Sequence, residues 1–500
     1  MITGATKTKV DEIWQRMWEG GITNPLEVIT QLTYLMFMRQ LDDRELEIER
    51  NEALGIGGQR HLFPATPEGQ RMRWSHFKDY KADVMHQLIT DEVFPFIREL
   101  GDSTAFSSTM RDATFTIQSP KTLERAVTGI DGLLSTCDIA DLGDLYEYML
   151  SKLETSKMNG QFRTPRHIRE MMVSMVNPRP GERVCDPACG TAGFLISAAE
   201  YIRSEYGNEM NDAEWAAFTG VAADGEPVIP QFSGFETDST MLRISAMNLL
   251  LHSVDAPDVR YLDSVSKQNT VNSTYDVMLA NPPFKGSVDA EDVDDGLLAI
   301  CDSRKTELLF VALFIRMLRL GGRCACIVPN GVLSNESARA YGQLRRELVD
   351  NQRLQAVIHM PSGVFRPYSG VSTAILLFTK SDAGGTDDVW MYRMDGDGFT
   401  LDDRRSPDSE HDDIPDVLAR WSDLDAERGR ERTEKSFLVP VQEIRDNGYD
   451  LSFNKYAKMV YSRVDYPPTE TILLEIEAAN RRIAEGLAEL KQLLDGETNA

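Results

Sequence analysis

Cysteine is scarce in this chain: Cys137, Cys185, Cys189, Cys301, Cys324 and Cys326 are the six among 500 residues, and none forms a C-x-x-C pair. That excludes a disulfide scaffold and leaves no zinc-ligand spacing, so no metal site is expected. Cys324 and Cys326 alternate along a buried-strand pattern, as small core side chains do. Long apolar runs are missing too. None approaches the roughly 18 residues that span a bilayer, and the first residues show no signal-peptide pattern, so a cytoplasmic protein is expected. Positive charge is under-represented, with 53 Lys and Arg against 79 Asp and Glu and a formal net charge of −26. If nucleic acid is the substrate, a partner must supply most of the grip on its phosphates. Neither a G-x-x-x-x-G-K-[ST] phosphate loop nor an acidic nuclease cluster is present, which excludes ATP-driven translocation and phosphodiester cleavage by this chain.

What remains is ordinary for a folded protein: 42% hydrophobic and 26% charged residues, in a chain too long for one core. From Asp11 to about Asp141 the apolar spacing is helical, beginning with Ile13, Trp14, Met17 and Trp18. Asn24 suits an N-cap and Pro25 the first helical position of a second helix. With no glycine loop or catalytic triad, this segment is expected to be an α-helical domain for docking or for gripping a ligand.

From 142 to 382, helical patterns alternate with β-rich runs at 183–185, 232–235, 260–262, 276–280, 324–328, 354–358 and 373–379. The alternation predicts a doubly wound, largely parallel α/β sheet. Only 361–371 separates the last two runs, too short for a helical crossover, so they are expected to pair antiparallel at a sheet edge. Such an ending is typical of the class I, Rossmann-like methyltransferase core. A C-terminal extension, 383–466, contains a polar, Asp-rich stretch, 402–416, with the composition of a disordered segment. In 467–500, Ile472, Ile476, Ala479, Ile483, Leu487, Leu490 and Leu494 recur every three or four residues, the seam of an amphipathic docking helix.

Three loops carry the candidate chemistry. The first, Asp186-Pro187-Ala188-Cys189-Gly190-Thr191-Ala192-Gly193-Phe194, follows a short run and opens a helix, so its small residues let a ligand approach the backbone and the helix N-terminus offers N–H groups to an anion. Taken alone, it is equally a tight strand-to-helix turn. Glu236 and Asp263 each end a predicted strand, where carboxylates can accept from ribose hydroxyls and from an adenine amine. The polar stretch 207–231 between the first loop and Glu236 reads as an insertion. Asn281-Pro282-Pro283-Phe284, directly after an apolar run, is the most informative segment. An adenine amine is a poor nucleophile because its lone pair is delocalised. Accepting both amine hydrogens, with the Asn281 side-chain oxygen and the Pro282 carbonyl, frees that pair for a sulfonium methyl, while Phe284 can stack on a base swung out of a duplex.

The segments Asp141-Leu142-Gly143-Asp144-Leu145-Tyr146-Glu147-Tyr148, Gly160-Gln161-Phe162-Arg163-Thr164-Pro165-Arg166, Pro329-Asn330-Gly331-Val332-Leu333 and Tyr449-Asp450-Leu451-Ser452-Phe453-Asn454, together with the loops above, resemble the DNA methylation subunit of type I restriction-modification systems. The resemblance covers most of the chain. It implies an N6-adenine DNA methyltransferase in which Gln161, Phe162, Arg163, Thr164, Pro165, Arg166, Thr191, Ala192, Gly193 and Glu236 contact S-adenosyl-L-methionine and the Asn281 loop holds the adenine; Asp186, Gly190 and Asp263 are expected in the same site from their places in the first loop and at a strand end. It also implies double-stranded DNA as substrate, a DNA-specificity subunit embraced by two such chains, and a separate restriction or translocase subunit.

Two other functions fit parts of the pattern. Asn-Pro-Pro followed by an aromatic also suits methylation of a glutamine side-chain amide in a protein, and the fold could persist as a noncatalytic scaffold. The helical N-terminal region and the C-terminal seam favour assembly around DNA over the first, and the intact Asn281 to Phe284 loop speaks against the second. Cytosine C5 chemistry needs a cysteine nucleophile; Cys189, inside the first loop, is expected to be a packing residue instead.

Overall fold

The computed structural model describes residues 4–55, 61–100, 109–135, 142–155, 163–222, 228–289, 291–458 and 469–497. The chain divides into two units, Met1–Tyr456 and Ala457–Ala500. In the first unit, the second helix, Pro25–Ala53, starts as its sequence predicts, with the Asn24 side chain accepting the Leu26 N–H at 3.0 Å and Pro25 in its first turn. Val28, Ile29, Leu32 and Leu35 on this helix share one buried core with Ile13 and Met17 of helix Gly4–Glu19. Helix Leu142–Thr155 joins the same core through Leu145, Tyr146, Met149 and Leu150, as do Met241, Ile244 and Met247 of helix Ser239–Leu251. The buried Tyr146 hydroxyl lies 2.6 Å from Thr33 Oγ1.

Eleven strands follow among the described residues: β1 (Val184–Asp186), β2 (Phe232–Glu236), β3 (Asp258–Tyr261), β4 (Tyr275–Ala280), β5 (Leu318–Pro329), β6 (Arg353–Met360), β7 (Thr373–Thr379), β8 (Asp388–Arg393), β9 (Asp397–Phe399), β10 (Pro407–Asp412) and β11 (Ser436–Pro440). Nine form one sheet in the order β11-β8-β6-β7-β5-β4-β1-β2-β3. β1 to β5 are parallel to their neighbours among themselves, and β7 enters antiparallel between β5 and β6. This is the class I methyltransferase arrangement, with strand order reversing on either side of β1 and β4. The fold places the loops after β1, β2, β3 and β4 at one end of the sheet, the place where such sheets bind ligands.

Two expectations need correcting. The β6–β7 pair is antiparallel but is not at a sheet edge, because β8 and β11 continue the sheet beyond β6. Val389, Trp390, Met391 and Tyr392 of β8 are fully buried, a short apolar run that the glycines and acids around it conceal. The Asp-rich stretch contains β10, paired with β9. There Asp402 accepts the Arg404 and Arg405 N–H groups, and buried Asp397 pairs with Arg405, so the acids close a turn instead of repelling one another. Within 207–231, helix Asp212–Thr219 begins with an Asn211–Glu214 capping box and sets Phe218 against Phe232 at 5.3 Å.

The second unit contains helix Thr469–Glu497, on which Leu473, Leu474, Ile476, Ile483 and Leu487 are exposed. No helix among the described residues is long and apolar enough to cross a membrane.

Candidate active site

β1 delivers Asp186 to the first loop, where its Oδ1 accepts the Ala188 N–H at 3.0 Å. Gly190 and Ala192 have φ of +53° and +63°, so the loop doubles back before helix Gly193–Tyr206, whose N-cap Ala192 supplies no side-chain acceptor. The first-turn amides therefore need an acceptor from elsewhere. At Gly193 a Cβ would come within 2.1 Å of Arg169 Nη1, so a side chain here would displace that guanidinium. Cys189 is buried and a Cβ on Gly234 would meet its Sγ at 2.9 Å, which fits the packing role expected of this cysteine. Burial pushes the Asp186 carboxyl up to about 8, with the Ala188 N–H opposing and the Glu236 charge adding to the rise.

Glu236, at the tip of β2, faces the same loop. Its Oε2 accepts the Gly190 N–H at 3.0 Å, and its Oε1 accepts the Thr237 and Asp238 N–H groups at 2.7 and 3.0 Å. A carboxylate offers about four acceptor positions, so three are already used, one to pin the first loop and two to shape the turn after β2. Asp263, just beyond β3, accepts the Val265 N–H at 3.2 Å, and Ser264 ties this turn to the first loop by donating to the Pro187 carbonyl at 2.5 Å.

Asn281 follows the fully buried β4. Its Nδ2 donates to Thr164 Oγ1 at 3.0 Å, while Oδ1 is buried with no hydrogen-bond partner among the described residues. Pro282 is buried, Pro283 exposed, and Phe284 half-buried with its ring edge-on to Phe365 at 6.0 Å. A cleft of about 680 Å³ brings together Gly190, Glu236, Asp263 and Asn281 to Phe284, with Phe235, Leu262, Val265 and Phe310 as apolar lining. Asp186, Thr191, Gly193, Arg163 and Thr164 meet Asn281 in a smaller adjoining pocket, and Ala192 is buried within the loop. Pro165 and Arg166 lie instead on a neighbouring groove, where Arg166 pairs with Asp144, Glu170 and Glu200. Gln161 and Phe162 fall outside the described residues.

The structure adds residues to which the sequence assigned no role. Glu147 accepts from Arg163 Nη2 at 2.8 Å, Arg169 Nη2 at 3.2 Å and Asn248 Nδ2 at 2.8 Å. Asn248 Nδ2 also donates to the Thr191 carbonyl at 2.9 Å. Burial alone would raise the Glu147 carboxyl, but the two guanidinium charges and the Asn248 amide outweigh it and hold the group well below the usual carboxylate range. Glu147 thus joins the helical core to the first loop and to the segment bearing Thr164. Its only sequence signal was membership of the segment from Asp141 to Tyr148.

The family profile described as N-6 DNA Methylase matches residues 137–463, nearly two thirds of the chain. The chain belongs to the N-6 DNA methylase family. The HsdM N-terminal domain profile matches 6–130, and the combination is that of a type I restriction-modification methylation subunit. Among curated relatives, the type I restriction enzyme EcoEI methylase subunit of Escherichia coli is 25% identical over 95% of this chain and 94% of its own. The EcoKI methylase subunit of Escherichia coli strain K12 is 30% identical over 77% and 71%. A solved chain from work on complex assembly and conformational transition of the type I R-M system aligns with TM-score 0.69 and 26% identity, covering 98% of this chain and 99% of that one.

N-6 DNA methylases use S-adenosylmethionine, and the cleft suits such a ligand. It has two carboxylates at adjacent strand tips, a backbone loop with uncapped helix amides, apolar walls, and an unpartnered acceptor on Asn281 beside them. A ribose, a purine and two cationic centres match that donor and acceptor set.

Proposed function

We propose that this chain methylates N6 of an adenine flipped out of double-stranded DNA, as the modification subunit of a site-specific type I complex. The observation that carries this reading is Asn281: one end of its amide is anchored on Thr164 and the oxygen at the other end, beside the cleft, has no partner among the described residues. When bound, S-adenosylmethionine supplies an electrophilic methyl group. Glu236, Asp263 and the Gly190 to Gly193 backbone would hold it, the ribose taking the acceptor position that the three N–H groups leave on Glu236. At the target amine, Asn281 Oδ1 and the Pro282 carbonyl each accept one hydrogen, concentrating the nitrogen lone pair, and Phe284 stacks on the base. Positioning and amine polarisation then do the catalysis without a covalent intermediate.

The exposed apolar residues of helix Thr469–Glu497 support docking to a DNA-specificity subunit, with two copies of this chain per partner and a separate restriction subunit for cleavage. Methyl transfer to unmodified DNA, by this chain alone and together with the products of neighbouring genes, tests the proposal. N6-methyladenine in the product supports it. Methylglutamine in a protein substrate, with none in DNA, would replace it with the amide-methylating alternative.

A further inference from the structure

The acidic balance of the chain is not spread evenly. A groove of about 760 Å³ beside the catalytic cleft is lined by seven Lys or Arg side chains against three carboxylates, in a protein of net charge −26. It is built from distant parts of the sequence: Tyr148 on helix Leu142–Thr155, Arg163 and Arg166 before and at the start of helix Arg166–Val176, Arg366 and Tyr368 after β6, and Phe399 to Arg405 at the turn between β9 and β10. Two links join it to the cleft. Tyr368 lines both, and Thr164, in the wall of the groove, accepts the hydrogen bond from Asn281.

The basic side chains fall into two groups. Arg163 and Arg169 are nearly buried and share Glu147, and Arg166 spans three carboxylates, so these hold the fold. Arg366 and Arg404 are exposed. Arg366 meets Asp403 at 2.9 Å, with the two side chains 45% and 58% exposed, a solvent-screened pair readily exchanged for a phosphate. Arg404 sits on the turn that Asp402 fixes through the Arg404 and Arg405 N–H groups. Aromatic faces share the groove: His167 stacks on Phe399 at 4.6 Å, the Arg405 guanidinium lies 5.6 Å over the same ring, and Tyr148 and Tyr368 also line the wall.

Resting on the reading of the cleft as a base site, we propose that this groove binds the sugar-phosphate backbone of the strand that carries the target adenine, with Arg366 and Arg404 as its phosphate contacts. Basic and aromatic side chains together in one groove suit a nucleic-acid strand held without regard to sequence. An acidic protein surface would use the charges but not the continuity with the cleft. The same contacts would explain how so acidic a chain brings DNA to Asn281: this basic surface leads to the cleft.

The test is the double variant Arg366→Ala/Arg404→Ala in the full-length chain. A fluorescent duplex with its central adenine opposite a gap serves as probe, titrated across a range of salt concentrations. Loss of two phosphate contacts should flatten the plot of log K against log salt by about 2 and weaken binding at low salt, with S-adenosylmethionine affinity unchanged. Arg366→Lys/Arg404→Lys should restore most of the slope. Removing two charges elsewhere, as Arg353→Ala/Arg428→Ala, should not reproduce the loss. An unaltered slope in a variant that still binds cofactor overturns the groove as a DNA site. So does a variant that binds DNA normally but no longer assembles with a protein partner, which would make the groove a protein interface. A wild-type chain that methylates DNA while the double variant binds normally defeats this inference alone; absence of methyl transfer to any DNA by the wild type, alone or with its neighbours' products, defeats the underlying reading.

Discussion

Asn281 and Thr164 stand 117 positions apart in sequence and 3.0 Å apart in space, the amide Nδ2 donating to the hydroxyl. Because that bond occupies the nitrogen end, the oxygen end is left to accept, the orientation that the proposed adenine polarisation requires. Asn281→Ala should abolish methyl transfer and leave cofactor binding nearly intact. Thr164→Val should lower kcat by roughly two- to tenfold, the worth of one net hydrogen bond. Single-turnover methylation and calorimetric titration check the pair, and near-normal transfer by Asn281→Ala would remove the proposed polarisation.

Glu236 fixes the first loop through Gly190, and in the proposed function it also holds the ligand. Glu236→Ala should weaken S-adenosylmethionine binding by ~1–3 kcal/mol, as expected when a charged acceptor is lost. It should also speed hydrogen exchange at Gly190, Thr237 and Asp238, whose N–H groups the carboxylate accepts. Unchanged affinity with faster exchange would assign Glu236 to the loop alone.

Glu147 compensates two buried guanidinium groups, so Glu147→Ala should destabilise the protein by about 3–5 kcal/mol in denaturant unfolding, and Glu147→Gln by less. Its carboxyl is held below the ordinary Glu value of 4.5. The stability that it contributes is therefore fully present above that value and is lost as pH falls through the folded pKa. The acid limb of a stability-against-pH curve should flatten in Glu147→Gln.

Asp186 has the opposite sign. Its folded carboxyl titrates near 8 and an unfolded Asp near 3.8, so between those values the folded chain keeps a proton that the unfolded chain has lost. In the ligand-free protein this costs stability progressively as pH rises from about 3.8 to about 8. Asp186→Asn should remove that slope. If the carboxyl ionises to meet a cationic cofactor, binding near neutral pH should release a proton, read by calorimetry in buffers of different ionisation enthalpy. No change in proton release between wild type and Asp186→Asn would exclude Asp186 from the cofactor's charge balance.

Deleting 468–500 should leave cofactor binding intact and eliminate stable association with the specificity subunit, and with it site-specific methylation. Co-purification of the truncated chain with that subunit and normal methylation would show that helix Thr469–Glu497 is not the docking element.

By itself, the sequence determined what is local. The β-rich runs before Asp186, Glu236 and Asn281, the small residues from Gly190 to Gly193, and the Asn24–Pro25 helix start are readable because strand alternation, turn chemistry and capping act over a few residues. The doubly wound order follows from the same signals, since short connections leave few topologies. Tertiary structure decided the rest. β8 was hidden because acids and glycines flank its four buried residues, and the Asp-rich turn orders only because Asp397 and Asp402 find partners around it. No spacing rule could join Glu147 to Arg163, Asn248 and Thr191, or Asn281 to Thr164, because those contacts exist only once separate elements pack. Net charge is likewise a sum without positions: −26 taken alone is hostile to DNA, and only the fold collects Arg163, Arg166, Arg366, Arg404 and Arg405 from three stretches of sequence onto one groove beside the cleft.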